Sequence, residues 1–233
     1  MFADILEPYT LNVFTDASLR KISDVETWVS SGVIAVYGNT IVRDDYRVYK
    51  NQTSNYAELK AIKLGINIAQ DICRQVPSIK VVNLFSDSQI SIYGIRDRIF
   101  NWRIINNTMV GYGNKIIANQ DIFLEIMNLI IMCNLHINFW HQKGHSDESS
   151  IQKSRYSFIT SNRIVGANES NIDFEFIKYI NRFNQMVDNA SRKLLYQTDS
   201  MQDVITPISF LIPTPTYHQE VLNQYNHLIN GGS

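Results

Sequence analysis

Cysteine is almost missing from this chain, and so is any excess of one charge. Cys73 and Cys133 are its only cysteines and share no Cys-x-x-Cys spacing. That argues against a disulfide scaffold and against a thiolate zinc site, and it fits a reducing compartment. Lysine and arginine number 21 against 22 aspartates and glutamates, a formal net charge of -1. No global field therefore draws the protein to nucleic acid or to an anionic membrane, and any basic contact surface must be local. Near-neutrality does not exclude a protein that handles a polyanion, because a cluster of metal-binding carboxylates lowers the net charge of its owner. Long hydrophobic runs are missing too. The longest, around Leu129 to Cys133, is interrupted by Asn128 and Asn134, far short of the roughly 20 residues of a membrane span. Met1 to Pro8 carries Asp4 and Glu7 and lacks the basic region and apolar core of a signal peptide. There is no Gly-x-Ser-x-Gly elbow, Walker loop, dinucleotide fingerprint or internal repeat. The expectation is a cytoplasmic, monomeric protein without a membrane partner.

What is present reads as alternating strands and helices. Leu11 to Phe14 is a short apolar run that stops at Thr15-Asp16-Ala17-Ser18, a buried strand whose last side chain enters a polar cleft. Taken alone, Asp16 reads more readily as a turn or helix cap. A polar connection with Arg20, Lys21, Asp24 and Glu26 follows. Gly32 to Tyr37 and Ile41 to Tyr49 then flank Gly38-Asn39-Thr40, a hairpin signal that makes the first three strands an antiparallel meander. Thr53 or Ser54 caps a helix running to about Cys73, with Ala57, Ala61, Leu64, Ile68 and Ile72 on its buried face. Glu58 lies beside that face. Ile79 to Phe85 is a central strand ending at Ser86-Asp87-Ser88. Strand, helix and strand in this order imply a parallel crossover, which sets Asp87 facing Asp16.

Helices are expected from about Ser88 to Trp102 and from about Gln120 to Cys133, separated by a polar interruption from Asn106 to Asn119, with a fifth strand from Leu135 to His141. Ser146 to Asn171 reads as an extended loop. Phe174, Ile177, Ile180, Phe183, Val187 and Leu194 mark a last helix with Asp188 near its apolar face. The fold class is α/β: a five-stranded mixed sheet, meander plus parallel strands, flanked by helices. Residues 1–197 form the main domain, with a long insertion at about 146–172, and 198–233 an appendage in which Ile208 to Ile212 can dock on the domain or on a protein partner.

This topology brings Asp16, Glu58, Asp87 and Asp188 toward one cleft, where four like charges repel. Divalent cations make such a cluster tolerable, and hard oxygen ligands with room for water suit magnesium or manganese. A pair of such ions hydrolyses phosphodiesters without a nucleophilic side chain, one orienting water and the other stabilising the leaving 3′ oxygen. His136, His141 and His145 could suggest zinc, but strand alternation turns the first two in directions a tetrahedral site need not share.

From Leu11 to about Leu195 the sequence resembles the type 1 ribonuclease H family. The likeness is carried, in order, by Thr15-Asp16-Ala17-Ser18, Thr53-Ser54-Asn55-Tyr56-Ala57-Glu58-Leu59 and Phe85-Ser86-Asp87-Ser88-Gln89 with Gly94-Ile95. Phe139-Trp140-His141-Gln142-Lys143-Gly144-His145 and Asn184-Gln185-Met186-Val187-Asp188 complete it. The resemblance implies a ribonuclease H-like fold and an endonuclease that cuts the RNA strand of RNA/DNA hybrids. Asp16, Glu58, Asp87 and Asp188 would hold two Mg2+ ions, or Mn2+, and His145 would move protons or help release product. Thr53 and Asn184 resemble residues that hold a DNA phosphate, with helix capping as their ordinary alternative. Asn55 and Gln89 match minor-groove positions that read RNA 2′-hydroxyls, and Trp102 keeps a substrate-side tryptophan.

Some positions depart from the family pattern. Ser54 stands where asparagine is common, and Arg98 where an aromatic residue packs on the DNA strand. Lys115 is nearly the only cation of the segment where several members carry a basic protrusion. Lys153, Arg155 and Arg163 with Tyr156 and Phe158 give the insertion a basic and aromatic mix that can touch nucleic acid. Two other readings stay open: a nuclease of this fold with a different nucleic-acid substrate, and a non-catalytic binding module.

Overall fold

The computed structural model describes residues 9–133, 135–144, 151–166 and 172–197. Three strands, β1 (Thr10–Lys21), β2 (Thr27–Tyr37) and β3 (Thr40–Lys50), form the expected antiparallel meander, turning at Gly38 with φ 58°. Helix α1 (Ser54–Gln75) crosses to β4 (Val81–Ser86), which pairs parallel to β1. After α3 (Gln120–Met132), β7 (His136–His141) pairs parallel to β4. The five-stranded mixed sheet has the order β3-β2-β1-β4-β7.

Alternation along β1 splits the interior in two. Leu11 and Val13 face α1 and α3 in one cluster with Leu59, Ile62, Ile66 and Ile122. Phe14 faces the other way, stacking on Phe85 with ring centroids 4.9 Å apart and on Phe183 of the last helix, α5 (Phe174–Gln197), at 5.4 Å. Between these aromatic contacts and the start of β1 runs a polar ladder. Asn12, Asn83 and Asn138 lie in register on β1, β4 and β7. Asn138 Nδ2 donates to Asn83 Oδ1 at 3.0 Å, Asn83 Nδ2 to Asn12 Oδ1 at 3.1 Å, and Asn12 Nδ2 to the Tyr179 hydroxyl at 3.2 Å. Tyr179 passes its own proton to the Gly38 carbonyl at 2.7 Å.

The structure corrects four expectations. Strand β1 does not stop near Asp16. It stays paired with β2 to Lys21, opposite Thr27, while β4 leaves it after Thr15. The apolar pattern ends where one edge of β1 opens, not where the strand ends. Second, Ser146 to Asn171 is not simply an extended loop: Ile151–Ser161 forms helix α4, with Ser154, Phe158 and Ile159 buried. So narrow a buried stripe leaves little periodicity, and polar bonds hold much of the helix. Third, the helix expected from Ser88 to Trp102 is α-helical only over α2 (Gln89–Tyr93). It continues as a π turn over Gly94–Arg98 and a 3-10 turn over Ile99–Asn101. Fourth, the interruption after it includes a hairpin of β5 (Arg103–Ile105) and β6 (Thr108–Val110), turned by Asn106 and Asn107, both at positive φ. Asparagine tolerates that conformation better than most residues, so the pair acts as a tight turn. The appendage 198–233 lies outside the described residues. No described helix is long and apolar enough to cross a membrane.

Candidate metal centre

Parallel pairing of β1 with β4 ends at Thr15 opposite Ser86. Asp16 and Asp87 are the next residues on the two chains. Asp16 lies opposite Gly32 on β2, and the neighbouring Ser31 Oγ donates to the Ala57 carbonyl at 2.6 Å. That bond ties the start of α1 to the strand beside Asp16 and delivers Glu58. Thr53 caps the helix, its hydroxyl accepting from the Tyr56 amide at 3.1 Å.

Asp16, Glu58 and Asp87 each offer a carboxylate oxygen within 4.8 Å of the other two, the one such group of potential metal ligands among the described residues. Asp16 is 3% and Glu58 7% exposed. Asp16 Oδ2 and Glu58 Oε2 find no hydrogen-bond partner among the described residues. Burial, joined by the charges of Asp87 and Asp188, pushes the Asp16 carboxyl up to about 9. Burial, with Asp16 and Asp87 beside it, raises Glu58 well above the usual carboxylate range. Ionising carboxylates this buried and this close together is costly unless a cation joins them. An all-oxygen donor set with orphaned buried oxygens fits a hard divalent cation.

Asp188 reaches the same cleft from α5, near enough for its charge to act on Asp16. Its carboxylate is engaged by Arg192, one turn on, whose Nη2 stands 3.0 Å from both oxygens. Thus the structure brings three of the four expected carboxylates into ligand distance of each other and holds the fourth beside them in an ion pair. Asn184, one turn before Asp188, is buried with Oδ1 unpartnered among the described residues. Asn55 and Gln89 are exposed near the starts of α1 and α2. Trp102 is half-buried, its ring edge-on to Phe123 at 4.8 Å. His145 lies outside the described residues.

Several contributors carry little sequence signal. Gly144 packs so closely that a Cβ there would come within 2.7 Å of Asp87 Oδ2. Gly32 performs the same service for α5, because a Cβ there would collide with Ser191 Oγ on the helix that carries Asp188 and with the Tyr46 ring. His141 Nε2 lies 3.1 Å from the Asp87 carbonyl. The carbonyl can only accept, so Nε2 carries the proton. Asn162, just after α4, accepts from the His141 amide at 2.9 Å and donates to its carbonyl at 2.8 Å, clasping the end of β7. Gly144 stands within a family-like motif, whereas nothing in the sequence marks Asn162.

A sheet of this order, with carboxylates just past the paired ends of its two inner parallel strands, defines a ribonuclease H-like α/β protein with a site suited to hard cations. The chain belongs to the RNase H family: residues 8–154, more than half of its length, match the family described as RNase H. It is 32% identical over 99 residues to Ribonuclease H of Mannheimia succiniciproducens, covering 42% of this chain and 55% of that protein. To Ribonuclease HI of Haemophilus influenzae it is 31% identical over 98 residues, covering 42% and 56%. The chain thus spans about half the length of the curated relatives it matches. Among solved structures, the foamy viral protease-reverse transcriptase in complex with RNA/DNA hybrid aligns with TM-score 0.48 at 14% identity, over 71% of this chain and 20% of that one. The PFV RNase H domain aligns with TM-score 0.48 at 16% identity, over 67% and 96%.

Proposed function

We propose that this chain is a divalent-cation-dependent endoribonuclease that hydrolyses the RNA strand of RNA/DNA hybrids, leaving 5′-phosphate and 3′-hydroxyl ends. The observation that carries the reading is the trio of buried Asp16 and Glu58 with half-buried Asp87, in which Asp16 Oδ2 and Glu58 Oε2 have no partner among the described residues, in a chain of the RNase H family. Asp16, Glu58, Asp87 and Asp188 would hold two Mg2+ ions, with Mn2+ as a substitute. When bound, such cations supply water activation and stabilisation of the leaving oxygen.

The remaining roles fall to the chain's own groups. Thr53 uses its oxygen to cap α1, which leaves its hydroxyl proton for a phosphate oxygen at the same helix N-terminus, where backbone amides favour an anion. Asn55 and Gln89 present exposed amide-bearing side chains for 2′-hydroxyl contacts. Asn184 binds phosphate and Trp102 lines the DNA side. His145 follows Gly144, which packs on Asp87, and moves protons near the leaving group. Residues 1–197 form the catalytic domain with its insertion at 146–172, and 198–233 an appendage.

The test is a substrate panel with Mg2+: RNA/DNA hybrid, double-stranded RNA and double-stranded DNA. The RNA strand of the hybrid is cut, and Asp87→Asn lowers the rate more than about a hundredfold, beyond the usual cost of losing an outer-shell partner of a metal site. Equal cutting of double-stranded DNA, or full activity in Asp87→Asn, overturns the reading.

A further inference from the structure

We infer that Arg192 is a positioning residue that competes with the second cation for Asp188, so that the centre fills in two unequal steps; this rests on the cation-binding reading above. Asp16, Glu58 and Asp87 already stand within 4.8 Å of one another, a pocket formed before any ion arrives. Asp188 does not share that grouping, although its charge is felt at Asp16. One guanidinium nitrogen of Arg192 takes both of its oxygens at 3.0 Å.

The arrangement is local and inexpensive. Acid followed by base four residues later is the favoured order on a helix. The Asp188 side chain is 17% exposed and that of Arg192 49%, so the acid sits in the cleft mouth while its partner reaches in from solvent. The Ser30 hydroxyl donates to the Ser191 carbonyl at 2.9 Å and Gly32 leaves room for the Ser191 side chain, which seats this turn of α5, and with it the backbone of Asp188, against β2. The freedom of Asp188 lies in its side-chain torsions, and these Arg192 restrains. Without an ion, the pair neutralises the fourth carboxylate and spares the buried trio some repulsion. A second ion must draw Asp188 away from the guanidinium, and the strength of that pair is subtracted from its affinity.

The experiment is titration of the full-length protein with Mn2+ alone, reading free Mn2+ by electron paramagnetic resonance, so that uptake is counted without any turnover. Wild type takes up one ion more tightly than a second. In Arg192→Gln the second dissociation constant falls about two- to fivefold, the worth of a partly exposed ion pair, while the first stays within about twofold. Arg192→Lys, a point charge without the planar fork, falls between the two. Combining Arg192→Gln with Asp188→Asn removes the gain. An unchanged or weakened second step in Arg192→Gln overturns the proposal. If uptake in that case still disappears in Asp87→Asn, the cation-binding reading stands without it. Absence of any uptake by wild type overturns both.

Discussion

Asn12 and Asp16 lie four residues apart on one strand, face the same side of the sheet, and are both buried. Their surroundings are opposite. Asn12 belongs to a ladder in which each rung has a partner, from Asn138 through Asn83 to Tyr179 and the Gly38 carbonyl. Asp16 belongs to a cluster of acids with orphaned oxygens and raised proton affinity. A buried polar group satisfied from within holds strands in register, because a slip would strand every amide at once. One left unsatisfied stores a cost that a proton or an incoming ligand relieves. Burial of polarity alone does not mark a site; here the mark is incomplete satisfaction in a cluster of acids within ligand distance of one another.

The strongest way to break this contrast is to remove the middle rung. Asn83→Leu removes the bond that Asn83 donates to Asn12 and those it accepts from Asn138 and the Trp140 indole and is expected to cost about 2–4 kcal/mol of stability, measured by urea unfolding, with Mn2+ uptake retained. Equal stability would make the ladder ornamental.

The second test uses pH. The Asp16 carboxyl has its folded pKa raised from 3.8 to about 9, so the folded state holds a proton that the unfolded state releases. Its favourable contribution is complete below the unfolded pKa and is lost as pH rises toward the folded value. The urea midpoint in chelator should therefore fall between about pH 5 and about pH 8, and saturating Mg2+ should flatten the slope. The ladder contributes nothing in that window: amides do not titrate, and burial raises the Tyr179 hydroxyl above its ordinary value. A flat profile in chelator would mean that the acids are solvated.

The smallest effect is at the ladder's outer rung. Asn138 is only half-buried on β7, and Asn138→Ala should cost about 0.5–1.5 kcal/mol, the net worth of one hydrogen bond.

Much of this contrast could be read from the chain before any coordinates. The runs that stop at Asp16 and Asp87, and the helical spacing around Glu58 and Asp188, placed four acids on converging elements because strand and helix periodicities report the apolar face directly. The meander, the parallel crossover and a helix cap at Thr53 or Ser54 followed from the same patterns, whereas the order of the strands came from the structure. The ladder did not, since asparagines inside apolar runs acquire meaning only when parallel register sets them side by side. Helix α4 stayed hidden because few of its side chains are buried. Arg192 stayed hidden because an acid and a base four residues apart are ordinary on any exposed helix. Gly32 gave no clue, because its importance lies in what Ser191 would strike.

The clasp of Asn162 on β7 bears on where this protein can be trimmed. Likeness to the family profile ends at residue 154, three residues after α4 begins. A chain shortened there would keep Asp16, Glu58 and Asp87 but lose α5 with Asp188, and with it the Asn162 side chain that grips both backbone groups of His141. The end of the family match and the boundary of mechanical integrity fall at different places, and it is the second that a deletion must respect.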